Sequence, residues 1–159
     1  MIREFTVTEV WFLIAATRWT VLLTLVAFAG GGVVGLAIAL LRVSKSRVLR
    51  GVAIGYIKLF QGTPLLMQLY LVYFGSSMLG FGSDPWFAVA LAFTLYASAF
   101  LGEIWRGCIQ AIPRGQWEGA RSLALSYPQQ LRHVILPQAL RIATPPTVGF
   151  LVSLLKGTS

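Results

Sequence analysis

The feature that most constrains this chain is the run of residues 19–41, which contains 23 residues and no charged side chain. As an α-helix this run would be about 34 Å long, which matches the hydrocarbon thickness of a bilayer. Hydrophobic residues make up 57% of the chain and charged residues only 11%, so too little polar surface remains for a water-soluble globule of 159 residues. The sequence therefore predicts an all-α integral membrane protein. The run is longer than a cleaved signal peptide needs, so it is predicted to be a permanent span.

Three further apolar runs raise the predicted number of transmembrane helices to about four. The second begins near Gly51, the third covers residues 86–105 and the fourth covers residues 134–155. The fourth is not expected to form a straight regular helix, because it contains three prolines and one charged residue: Pro137, Arg141, Pro145 and Pro146. Residues 1–18 are too charged to cross the bilayer and are predicted to form an interfacial helix, which leaves residues 19–159 as one membrane domain.

Basic residues gather at the ends of the apolar runs rather than along one face, which indicates orientation in a membrane and argues against nucleic-acid binding. One cluster lies within residues 42–50 and a second within residues 106–141, and both are predicted to face the cytoplasm. Residues 76–85 carry only Asp84 as a charge, so this loop is predicted to lie outside, as is the N-terminus. The basic residues behind the net charge of +8 are therefore interpreted as a sign of orientation in the membrane.

Small residues recur every four positions on two predicted spans, where they would let helix backbones approach closely. The first set is Ala27, Gly31, Gly35 and Ala39, and the second is Ala90, Thr94, Ser98 and Gly102. These sets predict two packing faces. The alternative is that glycines are simply common in membrane helices.

The second span contains a predicted break, since Pro64 removes a backbone donor and disfavours helix at Thr63. Irregular backbone at membrane depth survives where protein or a wet cavity satisfies its polar groups, so this segment is a candidate lining for a solute path. The candidate path residues are Gln61, Thr63, Pro64, Gln68, Tyr96, Ser98 and Glu103. The alternatives are a helix start after an interfacial segment, packing or anchoring roles for the aromatic and hydroxyl groups, and an ion pair between Glu103 and Arg106.

The single cysteine, Cys108, and the single histidine, His133, supply no ligand set for a metal. The acids near the spans have no recognisable catalytic spacing, so no catalytic residues are predicted.

Residues 106–133 form a polar, basic segment between apolar runs. Within it, residues 117–125 predict a short helix that cannot span a membrane, and Ser126 with Gln129 is a capping-box pattern that predicts a second helix start, with Pro128 in its first turn. The short helix would present apolar and charged side chains together, which suits a groove on another protein. The alternative is an amphipathic helix that rests on lipid headgroups.

Here the sequence resembles the permease subunits of bacterial ABC importers, whose cytoplasmic coupling loop carries the EAA motif: Glu-Ala-Ala, a Gly four residues after the second Ala, and a closing Ile-x-Leu-Pro. The matching residues in this chain are Glu118, Gly119, Ala120, Ala124, Val134, Leu136 and Pro137. Gly119, Ala124 and Val134 depart from the motif, whereas the other four residues hold. The coupling loop is accordingly placed at residues 107–133.

Further segments look like those of the polar amino acid subfamily, and together the similar segments cover most of residues 20–159. They begin at Phe60, Tyr73, Glu103 and Pro137 and read FQGTPLL, YFG, EIWRG and PQALR. Members of that subfamily usually have five spans, so the resemblance implies that the end at Ser159 is a truncation.

The resemblance implies a multi-pass permease subunit in the bacterial inner membrane that imports polar amino acids. Its implied partners are a separate ABC ATPase subunit, a periplasmic or extracellular solute-binding protein and a second permease subunit. The chain has no Gly-x-x-x-x-Gly-Lys-Ser/Thr loop, so it is predicted to be no enzyme, to bind no cofactor, and to rely on ATP held by its partner. The residues implied to couple to the ATPase are Trp117, Glu118, Gly119, Ala120, Arg121, Ala124, Leu136 and Pro137. The alternative function is a self-sufficient secondary carrier or channel subunit.

Overall fold

The computed structural model describes residues 7–80 and 84–158, and every regular element in those ranges is helical. The prediction of an all-α protein is confirmed. In chain order the α-helices are α1 (Val7–Val43), α2 (Arg47–Gly62), α3 (Leu65–Met78), α4 (Pro85–Gln110), α5 (Arg114–Ser122), α6 (Tyr127–Gln130) and α7 (Leu136–Thr158), with a π-helical turn at Leu131–Ile135 before α7.

Two of the described helices are long and apolar enough to cross a membrane. They are Val10–Val43, with a mean hydropathy of 2.4, and Pro85–Gln110, with a mean hydropathy of 1.7. Helix α3 is apolar but shorter, and α7 contains Arg141 and two prolines. The prediction of about four spans stays a prediction, as does the placement of the N-terminus outside.

Helix α1 differs from its predicted form, because a separate interfacial helix that ends at Arg18 is not present. Residues 7–18 continue without a break into the first predicted span. The sequence around Arg18 contains neither proline nor a capping residue that would stop a helix, so the charge change alone does not end it. Residues 1–6 of the predicted interfacial helix lie outside the described residues, and its location at the interface stays a prediction.

Helices α1 and α4 run parallel and pack through their small residues, which confirms both predicted packing faces. A Cβ added to Gly31 would lie 2.6 Å from the Cβ of Ala97, and one added to Gly102 would lie 2.8 Å from Cγ2 of Ile38. At Gly35 an added Cβ would meet the backbone carbonyl of Ser98 at 3.1 Å. The glycines are therefore required for this backbone approach, and the alternative of incidental glycines is not supported at these positions.

Helix α2 follows α1 after a short turn and ends at the predicted break. Ala53 and Ile57 are buried against Ile38 of α1. After Gly62 the backbone becomes extended at Thr63, and α3 starts directly after Pro64. The predicted interruption between Gln61 and Pro64 is confirmed.

Helix α4 begins where the sequence supplies a start signal. The Asp84 carboxylate accepts a hydrogen bond from the backbone N–H of Trp86 at 3.0 Å, and Pro85 occupies the first turn, where its missing donor costs nothing. At this same end of the bundle, Trp19 of α1 contacts Trp86 with ring centroids 5.0 Å apart. Residues 81–83 of the predicted outer loop lie outside the described residues.

The predicted interruption of the fourth apolar run is wrong in its position. Pro137 lies in the first turn of α7, and the helix continues through Pro145 and Pro146 to Thr158. The irregularity lies before the prolines instead, in the π-helical turn Leu131–Ile135. The π-helical turn runs directly into α7, where the backbone N–H of Leu136 donates to the carbonyl of Leu131, and Pro137, which has no N–H, follows this change of hydrogen-bond register.

Candidate functional site

The candidate functional site is the end of the bundle where α1 and α4 end, α2 and α7 begin, and α5 and α6 lie across them. It is called the basic end here, because the arginine-rich segments of the sequence meet there. A small apolar cluster holds it together. Its buried members are Ile109, Ile112, Ile135 and Ala139, and the half-buried side chains packed on them include Val43, Trp117, Leu131 and Leu136.

Helix α5 lies on this cluster by one face and exposes the other. Ala120 is only 3% exposed and Trp117 is half-buried, whereas Glu118 and Arg121 are exposed. Leu123, which follows α5, is 74% exposed. The predicted short helix is thus present, but it covers Arg114–Ser122 instead of residues 117–125. Its free side carries Glu118 and Arg121, and the exposed Leu123 lies just beyond its end.

The turn after α5 has a complete Schellman geometry. The backbone N–H of Ala124 donates to the carbonyl of Arg121 at 2.8 Å, and that of Leu125 donates to the carbonyl of Ala120 at 3.3 Å. Ala124 has φ = 53°, and it is the one non-glycine residue with positive φ in the described chain. The resembled motif has Gly at this position, which the geometry explains, since a left-handed residue without Cβ carries no steric penalty.

Gly119, which stands where the resembled motif has Ala, lies in a different structural environment from Ala124. It lies within α5, and a Cβ added there would meet nothing within 4 Å. The Ala that the motif has at this position would therefore fit without any movement of its neighbours.

Helix α6 starts at the predicted capping box. The side-chain oxygen of Gln129 accepts hydrogen bonds from the backbone N–H of Ser126 at 2.9 Å and from its hydroxyl at 2.8 Å. Pro128 lies in the first turn, as predicted. The buried amide of Gln130 donates to the carbonyl of Leu125 at 2.6 Å. The turn between α5 and α6 is therefore fixed by hydrogen bonds to α5 and to α6.

Tyr127 links this turn to α1, a role that the sequence did not predict. Its hydroxyl donates to the carbonyl of Val43 at 2.9 Å, its ring stacks on Trp117 at 6.2 Å, and the Lys45 ammonium lies 5.1 Å from its ring centroid. Burial raises the pKa of the Tyr127 phenol, so this group remains a neutral donor at physiological pH. A tyrosine beside a capping serine gives no sequence signal for a contact 84 positions away.

Leu136 and Pro137 close the resembled motif at the start of α7. Leu136 packs against the apolar cluster that supports α5, and Pro137 is exposed in the first turn of the helix. The amide of Gln138 donates to the side-chain oxygen of Gln116 at 3.0 Å, which joins α7 to α5 directly.

Glu103 forms the ion pair with Arg106 that was one of its two predicted roles. Arg106 contacts the Glu103 carboxylate through Nε at 2.8 Å and Nη2 at 2.5 Å, and it also donates to the side-chain oxygen of Gln110. Sequence reasoning missed the second partner, Arg42 of α1, whose Nη2 lies 3.5 Å from the other carboxylate oxygen. One carboxylate therefore faces two guanidinium groups.

Gln68, a candidate path residue, closes the broken segment between α2 and α3. It is 5% exposed, and its amide nitrogen lies within hydrogen-bond distance of the carbonyls of Phe60 and Thr63 and of the Thr63 hydroxyl, at 2.8, 3.0 and 2.9 Å. Its side-chain oxygen is buried without a protein partner. The amide satisfies carbonyls that the break leaves free, as irregular backbone inside a membrane requires.

The other candidate path residues contact α4 or lie on it. The Gln61 amide donates to the carbonyl of Ala99 at 3.2 Å, and the fully buried Ser98 hydroxyl shares a 2.7 Å hydrogen bond with Tyr56. Tyr96 packs its ring on Phe100 at 4.5 Å. The structure brings Gln68 and Thr63 together, and it places Glu103 at the basic end, away from the break. The assignment of these residues to a solute path stays a prediction.

Comparison with known proteins decides the family. The sequence profile described as "Binding-protein-dependent transport system inner membrane component" matches residues 31–159. This chain belongs to that family. The resemblance on which the sequence analysis relied is therefore confirmed.

Relatives with curated descriptions are similar over most of this chain. The probable amino-acid ABC transporter permease protein YckA of Bacillus subtilis is 40% identical over 148 residues, which cover 93% of this chain and 66% of that protein. The L-cystine transport system permease protein TcyB of the same species is 38% identical, with 89% of this chain and 60% of that protein covered. This family member thus spans about 60 to 66% of the length of these relatives.

Solved structures agree with the fold. A crystal structure of an amino acid ABC transporter with histidines is 35% identical, has a TM-score of 0.89, and is matched over 99% of this chain and 75% of the other. An inward-facing structure of the MetNI methionine ABC transporter has a TM-score of 0.82 at 22% identity, with 96% of this chain and 74% of the other covered, and it supports the fold alone. The predicted fold class, an all-α integral membrane protein of the permease type, is confirmed by the 35% identical structure.

Proposed function

We propose that this family member is the transmembrane permease subunit of an ATP-driven importer for polar amino acids. It would receive its solute from an external binding protein, pair with a second permease subunit, and couple to a separate ATPase subunit that binds the ATP. The relatives and the solved structure described above are amino-acid transport components by their own names, which supports this class of solute.

The observation that carries the proposal is the position of α5. Nine residues long, it is fixed on one side by Trp117 and Ala120 and leaves Glu118 and Arg121 free on the other. A short exposed helix of mixed polarity, rigidly mounted at the end of a helix bundle, suits a groove on another protein. A carrier that uses an ion gradient has no need for such a helix.

The contacts at the basic end would transmit motion of a docked ATPase to the spans. The apolar cluster joins α5 to α4 and α7, and the Tyr127 hydroxyl joins the following turn to the end of α1. Displacement of α5 would therefore move these helices together as a rigid body.

The charge distribution supports an orientation with the basic end in the cytoplasm, in the inner membrane of a bacterium. The arginines and lysines of residues 42–50 lie at this end, and Trp19 and Trp86 lie at the other, where aromatic rings suit the opposite interface. About 34 Å of helix separates Trp19 from Arg42, which is one hydrocarbon thickness.

For the solute path, we propose the broken segment between α2 and α3 and the face of α4 that it contacts. The buried, unpartnered oxygen of Gln68 supports this assignment, because a polar atom at such a site is available to a passing solute or to water. Tyr96 and Ser98 lie on the α4 side, and Glu103 lies one helical turn beyond Ala99 toward the basic end.

The test is solute-stimulated ATP hydrolysis by the assembled transporter in proteoliposomes. Glu118→Lys should abolish the stimulation, whereas Arg47→Glu, a charge reversal at an exposed residue at the start of α2 and outside the coupling loop, should leave it within about twofold. Full stimulation in the Glu118→Lys transporter would contradict the docking role of α5. Solute uptake without any ATPase would instead identify a carrier or channel.

A further inference from the structure

A basic cavity lies beside the coupling surface. It has a volume of about 500 Å³ and lies between the end of α1, the first turns of α2, the end of α4 and the start of α5. Three arginines line it, Arg42, Arg50 and Arg114, together with Gln110 and the rings of Trp117 and Tyr127. Each of four helices thus contributes a polar or charged side chain to one cavity.

The positive charge of the cavity is not balanced within the described chain. Glu103 is held at 2.5 to 2.8 Å by Arg106 and reaches Arg42 only at 3.5 Å. Among the described residues, no carboxylate lies within 4.0 Å of Arg50 or Arg114. The Nε–H of Arg42 is buried and has no hydrogen-bond partner among the residues that the structure describes. A buried guanidinium donor without an acceptor indicates that an anionic acceptor belongs nearby.

The geometry favours a phosphate group over a carboxylate. Three guanidinium groups from separate helices surround one space, which matches a tetrahedral anion with several acceptor oxygens better than a planar group with two. Helix α2, 16 residues long, also begins at Arg47 beside the cavity, and its N-terminal peptide dipoles add positive potential there.

The surroundings favour a phosphate that carries acyl chains. Val48 and Val52, which flank Arg50 on α2, are 75% and 65% exposed. Leu36 and Leu40, on the turns of α1 that precede Arg42, are 46% and 38% exposed. Exposed apolar side chains of both helices therefore lie within two helical turns of these arginines, where acyl chains beside a bound headgroup would cover them, whereas an acidic peptide from a partner protein would leave them uncovered.

We propose that this cavity binds the phosphate group of an anionic phospholipid, through Arg42, Arg50 and Arg114. A headgroup there would bridge α1, α2, α4 and α5 at the point where the turn after α5 meets α1. The site is independent of the proposed import function, since it requires only the arginines and the membrane.

The test uses the full chain, purified in detergent and freed of lipid, to which phosphatidylglycerol or phosphatidylcholine with identical acyl chains is added, with bound lipid counted by native mass spectrometry. The cavity variant is Arg50→Gln with Arg114→Gln. The matched control is Arg132→Gln with Arg141→Gln, which removes two charges from exposed positions outside the cavity.

Wild type and control should bind phosphatidylglycerol alike and in preference to phosphatidylcholine. The cavity variant should bind phosphatidylglycerol about 30-fold more weakly, since each basic side chain near an anionic lipid contributes about fivefold. A second variant, Arg50→Lys with Arg114→Lys, should bind within about fivefold of wild type, because the charges remain and only the forked geometry is lost. This variant separates loss of the site from loss of the fold.

Equal affinity of wild type and the cavity variant for phosphatidylglycerol, with both folded, would overturn the proposal. Loss of an ATPase partner by the cavity variant, with lipid binding unchanged, would also overturn it and assign the cavity to a protein contact. Displacement of phosphatidylglycerol by millimolar inorganic phosphate would support the phosphate chemistry and assign the site to a free phosphate instead of a headgroup.

Discussion

The Tyr127 hydroxyl donates a 2.9 Å hydrogen bond to the backbone carbonyl of Val43, the last residue of α1. These two residues are 84 positions apart, and their contact joins the turn after α5 to the longest helix of the bundle. Since α5 also rests on α4 and α7 through the apolar cluster, the short exposed helix is mechanically connected to three long helices. The predictions below test this connection and the packing on which it depends.

Removal of the Tyr127 hydroxyl should weaken coupling more than it weakens the fold. Tyr127→Phe keeps the ring that stacks on Trp117 and loses the donor to Val43, so the stability loss should be about 1 kcal/mol. Thermal unfolding in detergent measures the stability, and solute-stimulated ATP hydrolysis measures the coupling. The account predicts that stimulation falls by more than half while thermal stability shifts only slightly. Unchanged stimulation would show that the contact between Tyr127 and Val43 does not transmit motion of α5 to α1.

The turn after α5 should become more stable when Ala124 is replaced by glycine. Ala124 holds φ = 53° at the Schellman position, and a left-handed non-glycine residue costs about 1–2 kcal/mol. Ala124→Gly should therefore raise the stability of the chain by about 1 kcal/mol, net of the entropy cost of glycine in the unfolded chain. Ala124→Val is the matched control and should destabilise the chain, because a β-branched side chain is poorly accommodated there. A loss of stability on Ala124→Gly would contradict the assigned turn geometry.

Gly119→Ala, the second change toward the resembled motif, should also be stabilising. The position lies inside α5 with no atom within 4 Å of an added Cβ, so the gain should be about 0.5–1 kcal/mol from helix propensity alone. Thermal unfolding of the single variants and of the double variant with Ala124→Gly measures whether the two gains add. A clear loss in the Gly119→Ala variant would mean that α5 does not have its described form.

Gly31→Ala should disrupt the α1–α4 contact. The added Cβ would lie 2.6 Å from the Cβ of Ala97 and 3.1 Å from the backbone nitrogen of Ser98, so backbone must move. Overpacking of this kind costs about 1–3 kcal/mol. Gly55→Ala on α2 is the control, since nothing lies within 4 Å of its added Cβ. Comparison of thermal stability in detergent should separate the two variants, and equal stabilities would contradict the described helix pair.

Glu103→Gln separates an ion pair that only holds the fold from a group that transport requires. The change leaves Arg42 and Arg106 facing each other without a carboxylate, at side-chain exposures of 18% and 21%. We expect solute uptake to fall by more than tenfold, which corresponds to an increase of about 1.4 kcal/mol in the activation free energy of transport. Membrane insertion should be nearly retained. Uptake in proteoliposomes, normalised to the inserted protein, measures both. Equal loss of insertion and uptake would favour a purely structural ion pair.

The sequence predicted elements whose signals are local. The Thr63–Pro64 break, the Asp84–Pro85 start of α4 and the Ser126–Gln129 capping box all follow from the chemistry of adjacent residues, and the structure has each of them. The four-residue spacing of small side chains also predicted the face by which α1 meets α4, because a helix places residues four apart on one side.

Contacts between distant segments were not predictable in the same way. Arg42 approaches Glu103 across 61 positions, and Tyr127 approaches Val43 across 84. Neither approach leaves a pattern in the residues around it, since the first depends on how the end of α1 lies against α4 and the second on how it lies against the turn that follows α5. Proline in the sequence was also an unreliable guide in α7, where Pro137 follows the π-helical turn without ending the helix and the helix continues through Pro145 and Pro146.

The central claim is that α5 docks on a separate ATPase, and copurification tests it most directly. The chain is tagged in its native membrane and solubilised gently, and the associated proteins are identified by mass for wild type, Glu118→Lys and Arg47→Glu. The account predicts an ATPase with wild type and with Arg47→Glu, and its loss with Glu118→Lys. Recovery of the ATPase in equal amounts from all three, or its absence from all three, would contradict the account.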